Sequence, residues 1–236
     1  MKFYTYLFKD MIYNEKEFIK AVEQSFEKYK EKGARSTEKL KPLHKFVADT
    51  LATIWSEGFK LHYMGDQNKE MKVEGKYYPK KIDITITKDD NLVLCIGIKF
   101  VTSNFKQNAN NYFEKMMGET ANIQVKGLPY AQLLVLQHKT PYYKRNETKV
   151  SSKKETTNDK DISKYQKLIS DTSQVYCPKY LGIQLVDINE RTKKVSLTNL
   201  ENSFSEKIAQ LLKSKLSLIN FFDEINTYKN YLTIEQ

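Results

Sequence analysis

Two charged residues, Asp83 and Lys99, can supply the carboxylate and the cation that phosphodiester hydrolysis uses. Asp83 lies in an alternating apolar stretch, and Lys99 ends a nearly continuous apolar one. Burying an unpaired carboxylate is costly, so an aspartate in such a stretch is unusual. Carboxylates hold Mg²⁺, and an ammonium group beside them polarises the attacking water or stabilises the phosphate. The alternative interpretation places Asp83 on a solvated face and lets Lys99 extend to water.

The elements that must position this pair follow from the hydrophobic periodicity. Residues 81–87 alternate as in a half-buried strand, 89–91 have turn composition, and 92–100 are apolar enough for a central strand. These segments predict a β-hairpin that places Asp83 and Lys99 on neighbouring strands. A helix over 105–123 and a buried strand over 130–136 are predicted to follow.

The remaining segments complete an α/β pattern. Asn14 as N-cap and Gly33 as stop predict a helix over 14–32. Periodicity also predicts helices over 42–56 and 203–219 and strands over 59–64 and 180–187. Residues 138–168 are rich in polar and basic side chains and predict a long surface insertion that ends in a short helix. The order of elements predicts an α/β layer fold.

The Asp83–Lys99 arrangement resembles the PD-(D/E)xK nuclease superfamily, whose pattern is an acid on one strand and then acid, any residue and lysine on the next. The departure is Gly97, which occupies the position of the second acid and cannot bind a metal. Some restriction enzymes of this superfamily take the missing carboxylate from the following helix. At about 100° per residue, the polar face of that helix holds Gln107, Asn110, Asn111 and Glu114. Glu114 is therefore the expected replacement, with Glu119 as second choice.

The resemblance implies a type II restriction endonuclease that hydrolyses double-stranded DNA at a specific short site, requires Mg²⁺ and leaves 5′-phosphate ends. It implies a restriction-endonuclease-like central mixed β-sheet flanked by helices. One nuclease domain would span 1–236, with its catalytic core at about 38–190, the insertion at 138–168 and helical elaborations at both termini. The expected catalytic residues are Asp83, Lys99 and Glu114, and the expected metal ligands are Asp83, Glu114 and the backbone carbonyl of Ile98.

DNA contacts and partners follow from the same resemblance. The expected DNA-binding residues are Gln107, Asn110, Asn111, Lys80, Lys81, Lys144 and Arg145, and the basic ones would bind the backbone without reading sequence. A homodimer on a palindromic site and a cognate DNA methyltransferase as genetic companion are further expectations. Glu38 and His44 are expected to approach the site, as first-helix polar residues do in this superfamily, although a surface position is more common for such a histidine.

Composition limits the other function classes. The formal net charge of +10 suits a polyanionic partner, although an AT-rich genome also encodes many lysines. No apolar run is long enough to span a bilayer, no signal-type stretch follows Met1, and the two cysteines lack zinc-type spacing. A cytoplasmic location without membrane contact is expected. The alternatives are an inactive DNA-binding module of the same fold, a repair or nicking nuclease, and a basic structural or RNA-associated protein.

Overall fold

A mixed β-sheet forms the centre of the computed structural model, which describes residues 13–33, 36–55, 58–65, 69–142 and 153–234. The strands of the described residues are β1 (Phe59–Tyr63), β2 (Lys72–Glu74), β3 (Pro79–Lys81), β4 (Ile84–Lys88), β5 (Asn91–Val101), β6 (Tyr130–Gln137), β7 (Lys139–Pro141), β8 (Lys154–Thr156), β9 (Tyr180–Ile188) and β10 (Val195–Leu197). The helices are α1 (Glu15–Lys32), α2 (Lys41–Ile54), α3 (Phe105–Gln124), α4 (Asp159–Leu168), α5 (Leu200–Ser203), α6 (Glu206–Lys213) and α7 (Leu218–Ile234), with a 3₁₀ turn at Thr37–Leu40.

The central sheet has the order β1-β4-β5-β6-β9-β10 among the described strands. β1, β4 and β5 are antiparallel neighbours, β5, β6 and β9 are parallel, and β10 returns antiparallel to β9. β6 is buried along its whole length, as expected for a parallel strand covered on both faces. In the β5–β6 register, Gly97 lies opposite Gln132 and Lys99 opposite Leu134.

Helices cover both faces of the sheet, so the predicted α/β class and the central mixed sheet flanked by helices are confirmed. Side chains alternate along β5, and Ile96 and Ile98 pack into a core formed with α1, α2 and α7. Val101 packs on the other face, into a core formed with α3, α4 and α6. The same alternation directs Gly97 and Lys99 toward the α3 face, where the candidate site lies.

Local sequence signals fix several element ends as predicted. The Asn14 side chain accepts the backbone N–H of Glu17 at 3.2 Å and caps α1, and Gly33 ends it with a φ of 80°. The predicted strand over 81–87 is instead two strands, because β3 ends at Lys81 and β4 begins at Ile84. This interruption is part of the site, since it contains Asp83.

The prediction of a single helix over 203–219 is wrong. The chain forms the end of α5, all of α6 and the start of α7 there. The hydroxyl of Ser214 donates to the carbonyl of Gln210 at 2.7 Å, and that of Ser217 donates to the carbonyl of Ser214 at 2.9 Å. Ser217 also accepts the N–H of Asn220 at 3.1 Å, which caps the next helix. The carbonyls of Gln210 and Ser214 also accept the backbone N–H groups of Ser214 and Ser217, so the serine hydroxyls add side-chain bonds at the point where the chain turns.

The segment over 138–168 is not wholly a surface insertion. A capping box between Asn158 and Asp161 begins α4. Ile162, Tyr165 and Leu168 are then buried in the core on the α3 face, so α4 is part of the layer that covers the sheet. Residues 143–152, which include the predicted DNA contacts Lys144 and Arg145, lie outside the described residues. None of the helices in the described part of the chain has the length and apolar character needed to cross a membrane.

Candidate active site

A cavity of about 180 Å³ opens between the sheet and α3, near the carboxyl end of β5. Its wall carries two carboxylates, Asp83 and Glu119, among several cationic groups. The lining residues are Leu40, Lys80, Lys81, Ile82, Asp83, Gly97, Ile98, Lys99, Tyr112, Lys115, Met116, Glu119, Tyr130, Gln132 and Leu134. The hairpin predicted from periodicity therefore brings Asp83 and Lys99 to one cavity.

Asp83 lies in the break between β3 and β4. Its side chain replaces the backbone carbonyl that a continuous strand would offer to β5. One oxygen of its carboxylate accepts the backbone N–H of Ile98 on β5 at 2.6 Å. Burial raises the pKa of Asp83 to about 6, because the loss of hydration outweighs the Ile98 bond and the charge of Lys80. Ile98 contributes its N–H here, and the predicted metal bond of its carbonyl stays a prediction.

Lys99 lies half-buried beside the ring of Tyr112, with 5.1 Å between its Nζ and the ring centroid. Burial and the nearby Lys115 lower its pKa, while Glu119 and Asp83 act in the opposite direction. A cation held against an aromatic face and attracted by two carboxylates has a defined position. It is placed to contact water or phosphate in the cavity.

One stripe of α3 forms the far wall of the cavity. Tyr112, Lys115, Met116 and Glu119 follow the i, i+3, i+4, i+7 spacing of a single helix face. The Glu119 carboxylate forms an ion pair with Lys80 from β3, and its distance to Lys115 is 3.7 Å. With a side chain only 14% exposed, Glu119 is a largely buried counter-charge for these lysines.

The prediction that Glu114 lies at the site is not met by this geometry. At about 100° per residue, Glu114 lies about 150° around the helix from the cavity stripe. It is exposed and acts electrostatically on Lys164, which binds the carbonyl of Ala109 at 2.7 Å. Glu119, the second choice, is the α3 carboxylate that lines the cavity. The prediction assumes that the polar face of α3 points to the site. In the structure the partly apolar face, with Tyr112 and Met116, lines the cavity.

The space beside Gly97 is filled by other side chains. A Cβ at this position would clash with the hydroxyl of Tyr130 and lie 2.9 Å from Oε1 of Gln132. Gln132 also donates to the carbonyl of Gly97 at 3.0 Å. The expectation that Gly97 leaves room for Glu114 is therefore wrong. Glycine is required because two polar side chains of β6 pack directly against the backbone of β5.

We predict that Gly97→Ala destabilises the protein by about 1–3 kcal/mol through this overlap. The cost of the same substitution should shrink in a Tyr130→Phe background, which lacks the clashing hydroxyl. Gly118→Ala is the matched control, because open space surrounds a Cβ there and alanine is the better helix former. Urea unfolding of these variants measures the coupling. An equal cost of Gly97→Ala in both backgrounds would contradict the assignment.

Asp83 also belongs to a second cluster, with His44 of α2 and Glu70 of the segment before β2. One ligand atom from each residue lies within 4.8 Å of the others. Two ligands of one ion can be separated by about twice a bond length of about 2.1–2.5 Å, so one divalent cation can reach all three. His44, expected only to approach the site, is fully buried and forms part of this cluster.

The polar atoms of this cluster are poorly satisfied. Neither ring nitrogen of His44 has a hydrogen-bond partner among the described residues. Burial lowers the pKa of His44 to about 4, so the imidazole is neutral and its lone pair can bind a metal. Burial and the charge of Asp83 raise the pKa of Glu70. An unpartnered imidazole beside two mutually repelling carboxylates fits the requirements of a bound cation.

The other predicted site residues are spread along the chain. Lys80 and Lys81 line the cavity. Lys144 and Arg145 lie outside the described residues, and the three on α3 lie away from the cavity. Gln107 donates to Glu155 at 3.5 Å, Asn110 accepts from Lys164 at 3.3 Å, and Asn111 is exposed. Glu70 lies in an irregular stretch before β2, and no local sequence signal distinguishes it. The role of each residue in DNA binding stays a prediction.

Comparisons with known proteins give no family for this chain. No family model matches it, and no curated protein does. Among solved structures, the crystal structure of a protein of unknown function, AF1548, is similar over 60% of this chain and 56% of its own length, with 16% sequence identity and a TM-score of 0.27. This chain thus spans little more than half of that protein, and a similarity of this size carries no argument.

Proposed function

We propose that this protein is a metal-dependent endonuclease that hydrolyses phosphodiester bonds of double-stranded DNA. One observation carries the proposal: Asp83 belongs both to the His44–Glu70–Asp83 cluster and to the cavity that contains Lys99. A cation on the first group would therefore lie beside the lysine of the second. Phosphodiester hydrolysis needs this combination of metal and positioned cation.

Each polar group of the cavity has a defined role in this proposal. Asp83, Glu70 and His44 would hold the cation, which when bound supplies Lewis-acid activation of the phosphate. Lys99 would orient the attacking water or stabilise charge on the phosphate. Lys80 and Lys115, paired with Glu119, give the cavity a positive wall that attracts the DNA backbone. Glu119 acts as a positioning residue, because it keeps the two ammonium groups beside the cavity.

The finer parts of the proposal rest on the resemblance to the PD-(D/E)xK superfamily. They are a restriction-endonuclease-like fold, type II cleavage with 5′-phosphate ends, Mg²⁺ as cation, a homodimer, a companion methyltransferase and a cytoplasmic location. The net charge of +10 supports a nucleic-acid partner. Gly97 supports one alternative, an inactive DNA-binding module, because this position of β5 offers no carboxylate.

Plasmid DNA incubated with the protein and Mg²⁺, Mn²⁺ or EDTA tests the proposal directly. Discrete fragments that require a divalent cation would support a site-specific nuclease. A uniform smear would support a nuclease without site specificity. Intact plasmid that remains tightly bound would overturn the enzymatic proposal in favour of the inactive module.

A matched pair on α3 separates the two candidate carboxylates. We predict that Glu119→Gln lowers the cleavage rate by about 10–100-fold, because Lys80 and Lys115 lose their shared counter-charge, an effect of the size found for residues that orient catalytic groups. Glu114→Gln should leave the rate within about twofold, since surface changes away from such features have small effects. Initial cleavage rates on one substrate measure both. The reverse order would make Glu114 the catalytic carboxylate of α3.

A further inference from the structure

The hairpin of β2 and β3 presents two tyrosines beside the cavity. Tyr77 is 75% exposed and Tyr78 is 48% exposed, which is unusual for adjacent large rings. β3 continues from this turn to Lys80 and Lys81, which line the cavity. At about 3.4 Å per residue, Tyr77 lies at most about 14 Å along the chain from Lys81.

The turn that carries these rings is rigidly held. The Asn122 side chain of α3 accepts the backbone N–H of Tyr77 at 2.9 Å and donates to the carbonyl of Tyr78 at 2.9 Å. The carbonyl of Asn122 accepts the N–H of Lys76 at 2.7 Å. A Cβ on Gly75 would clash with the same amide, so glycine allows this close approach. The backbone that carries the exposed rings is therefore held in one conformation, which reduces the entropic cost of binding a ligand there.

The charge of the hairpin indicates which kind of partner these two rings would contact. Residues 72–81 contain Lys72, Lys76, Lys80 and Lys81 against a single acid, Glu74, so the hairpin carries a net charge of +3. Glu119 neutralises one of the lysines, Lys80, at the cavity end. Exposed aromatic rings among lysines form the surface that binds unpaired nucleotides, because bases stack on the rings while the ammonium groups follow the phosphates.

We propose that the β2–β3 hairpin binds an unpaired segment of the DNA substrate, with a base stacked on Tyr77. This assignment rests on the proposed nuclease function and narrows its substrate. Preferred substrates are duplexes with a single-stranded tail or a locally opened site next to the cleaved bond. Tyr78, which is less exposed, supports the neighbouring nucleotide or sugar.

Equilibrium binding in EDTA tests the assignment without cleavage. The probe is a duplex with a single-stranded tail that contains one 2-aminopurine, whose fluorescence falls when it stacks on an aromatic ring. Tyr77→Ala is expected to weaken binding of the tailed duplex by about tenfold and to remove most of the quenching, in line with the loss of one stacked base. Binding of a blunt duplex should change by less than about twofold.

Three further variants make the result specific. Tyr77→Phe should retain affinity and quenching, and Tyr77→Leu should lose both, because a stacked base requires an aromatic face. Tyr231→Ala is the matched control, since Tyr231 is 57% exposed on α7, which packs on the other face of the sheet. Thermal unfolding of every variant checks that the fold is retained.

Several outcomes overturn the assignment. Equal loss for tailed and blunt duplexes would show that Tyr77 supports the backbone contact only. Unchanged binding in Tyr77→Ala, or dissociation of a dimer by that substitution, would place the hairpin outside the nucleic-acid surface. If the wild-type protein cleaves no DNA but shows Tyr77-dependent stacking, the nuclease proposal fails and the hairpin assignment stands. Normal cleavage without any dependence on Tyr77 would overturn the hairpin assignment and leave the nuclease proposal intact.

Discussion

Asp83→Asn is expected to reduce metal-dependent cleavage by about 10³-fold or more and, in EDTA, to raise the free energy of unfolding at pH 7. The activity is lost because Asp83 is shared by the metal cluster and the Lys99 cavity. The stability rises because the wild-type protein must bury a carboxylate whose pKa is raised from 3.8 to about 6. Asparagine retains an oxygen that can accept the N–H of Ile98.

The size and sign of the stability change follow from linkage. The rise of the pKa from 3.8 to about 6 corresponds to at most about 3 kcal/mol, a figure that already includes the attraction to Lys80 and Lys99. Because the asparagine amide is itself a buried polar group with its own desolvation cost, we expect a gain of about 1–2 kcal/mol. Because the folded-state pKa of this acid is raised, the unfolded chain releases its proton first. The contribution of Asp83 therefore makes the protein less stable as the pH rises from about 4 to about 6.

Urea unfolding of wild type and Asp83→Asn at pH 4 and pH 7, both in EDTA, measures this difference. The advantage of the variant should be small at pH 4 and reach its full size at pH 7. Asp90→Asn is the control, because Asp90 is exposed and its ion pair with Lys60 lies on the surface, so its effect should stay within about 0.5 kcal/mol. A variant that is less stable than wild type at pH 7 would show that Asp83 stabilises the metal-free fold.

The parts of the site that lie close in sequence could be predicted. Asp83 directly precedes β4 and Lys99 lies on β5, and these two strands are adjacent and joined by a tight turn. Period-two alternation and the turn at 89–91 are therefore enough to place the two residues together. The strand break at Asp83 escaped prediction, because it depends on a side chain that replaces a backbone acceptor for Ile98. Sequence periodicity shows which face of a helix or strand is buried. It contains no information about a side chain that replaces a backbone hydrogen-bond acceptor.

The sequence alone does not show which side of α3 faces the sheet. Polar residues occur all around this helix, so the sequence did not say which stripe faces the sheet. The sequence allows either Glu114 or Glu119 at the site, and only the packing places Met116 against the core and Glu119 beside Lys80. Glu70, the other carboxylate of the His44–Glu70–Asp83 cluster, lies near Asp83 because of the conformation of an irregular segment. No periodic pattern in the sequence describes such a segment.

Removal of the His44 imidazole is expected to weaken Mn²⁺ binding by about 10²-fold or more while Mg²⁺ binding changes less. Mn²⁺ is a transition-metal ion and accepts an imidazole nitrogen more readily than Mg²⁺, which prefers oxygen ligands and retains much of its water. We therefore expect a cluster of one imidazole and two carboxylates to bind Mn²⁺ more tightly than Mg²⁺, the cation that the family resemblance implies. Calorimetric titration of His44→Leu and wild type with each cation measures the difference without DNA.

The same variant has a second readout in EDTA. Both ring nitrogens of His44 are buried without a hydrogen-bond partner among the described residues, a penalty of about 1–3 kcal/mol for each unsatisfied group. His44→Leu should therefore leave the metal-free protein at least as stable as wild type, although it loses stabilisation by Mn²⁺. His62→Leu is the control, because His62 contacts Thr87 at 3.1 Å and lies outside the cluster. Unchanged Mn²⁺ affinity in His44→Leu would instead assign the cation to the carboxylates of Asp83 and Glu119, because both line the cavity.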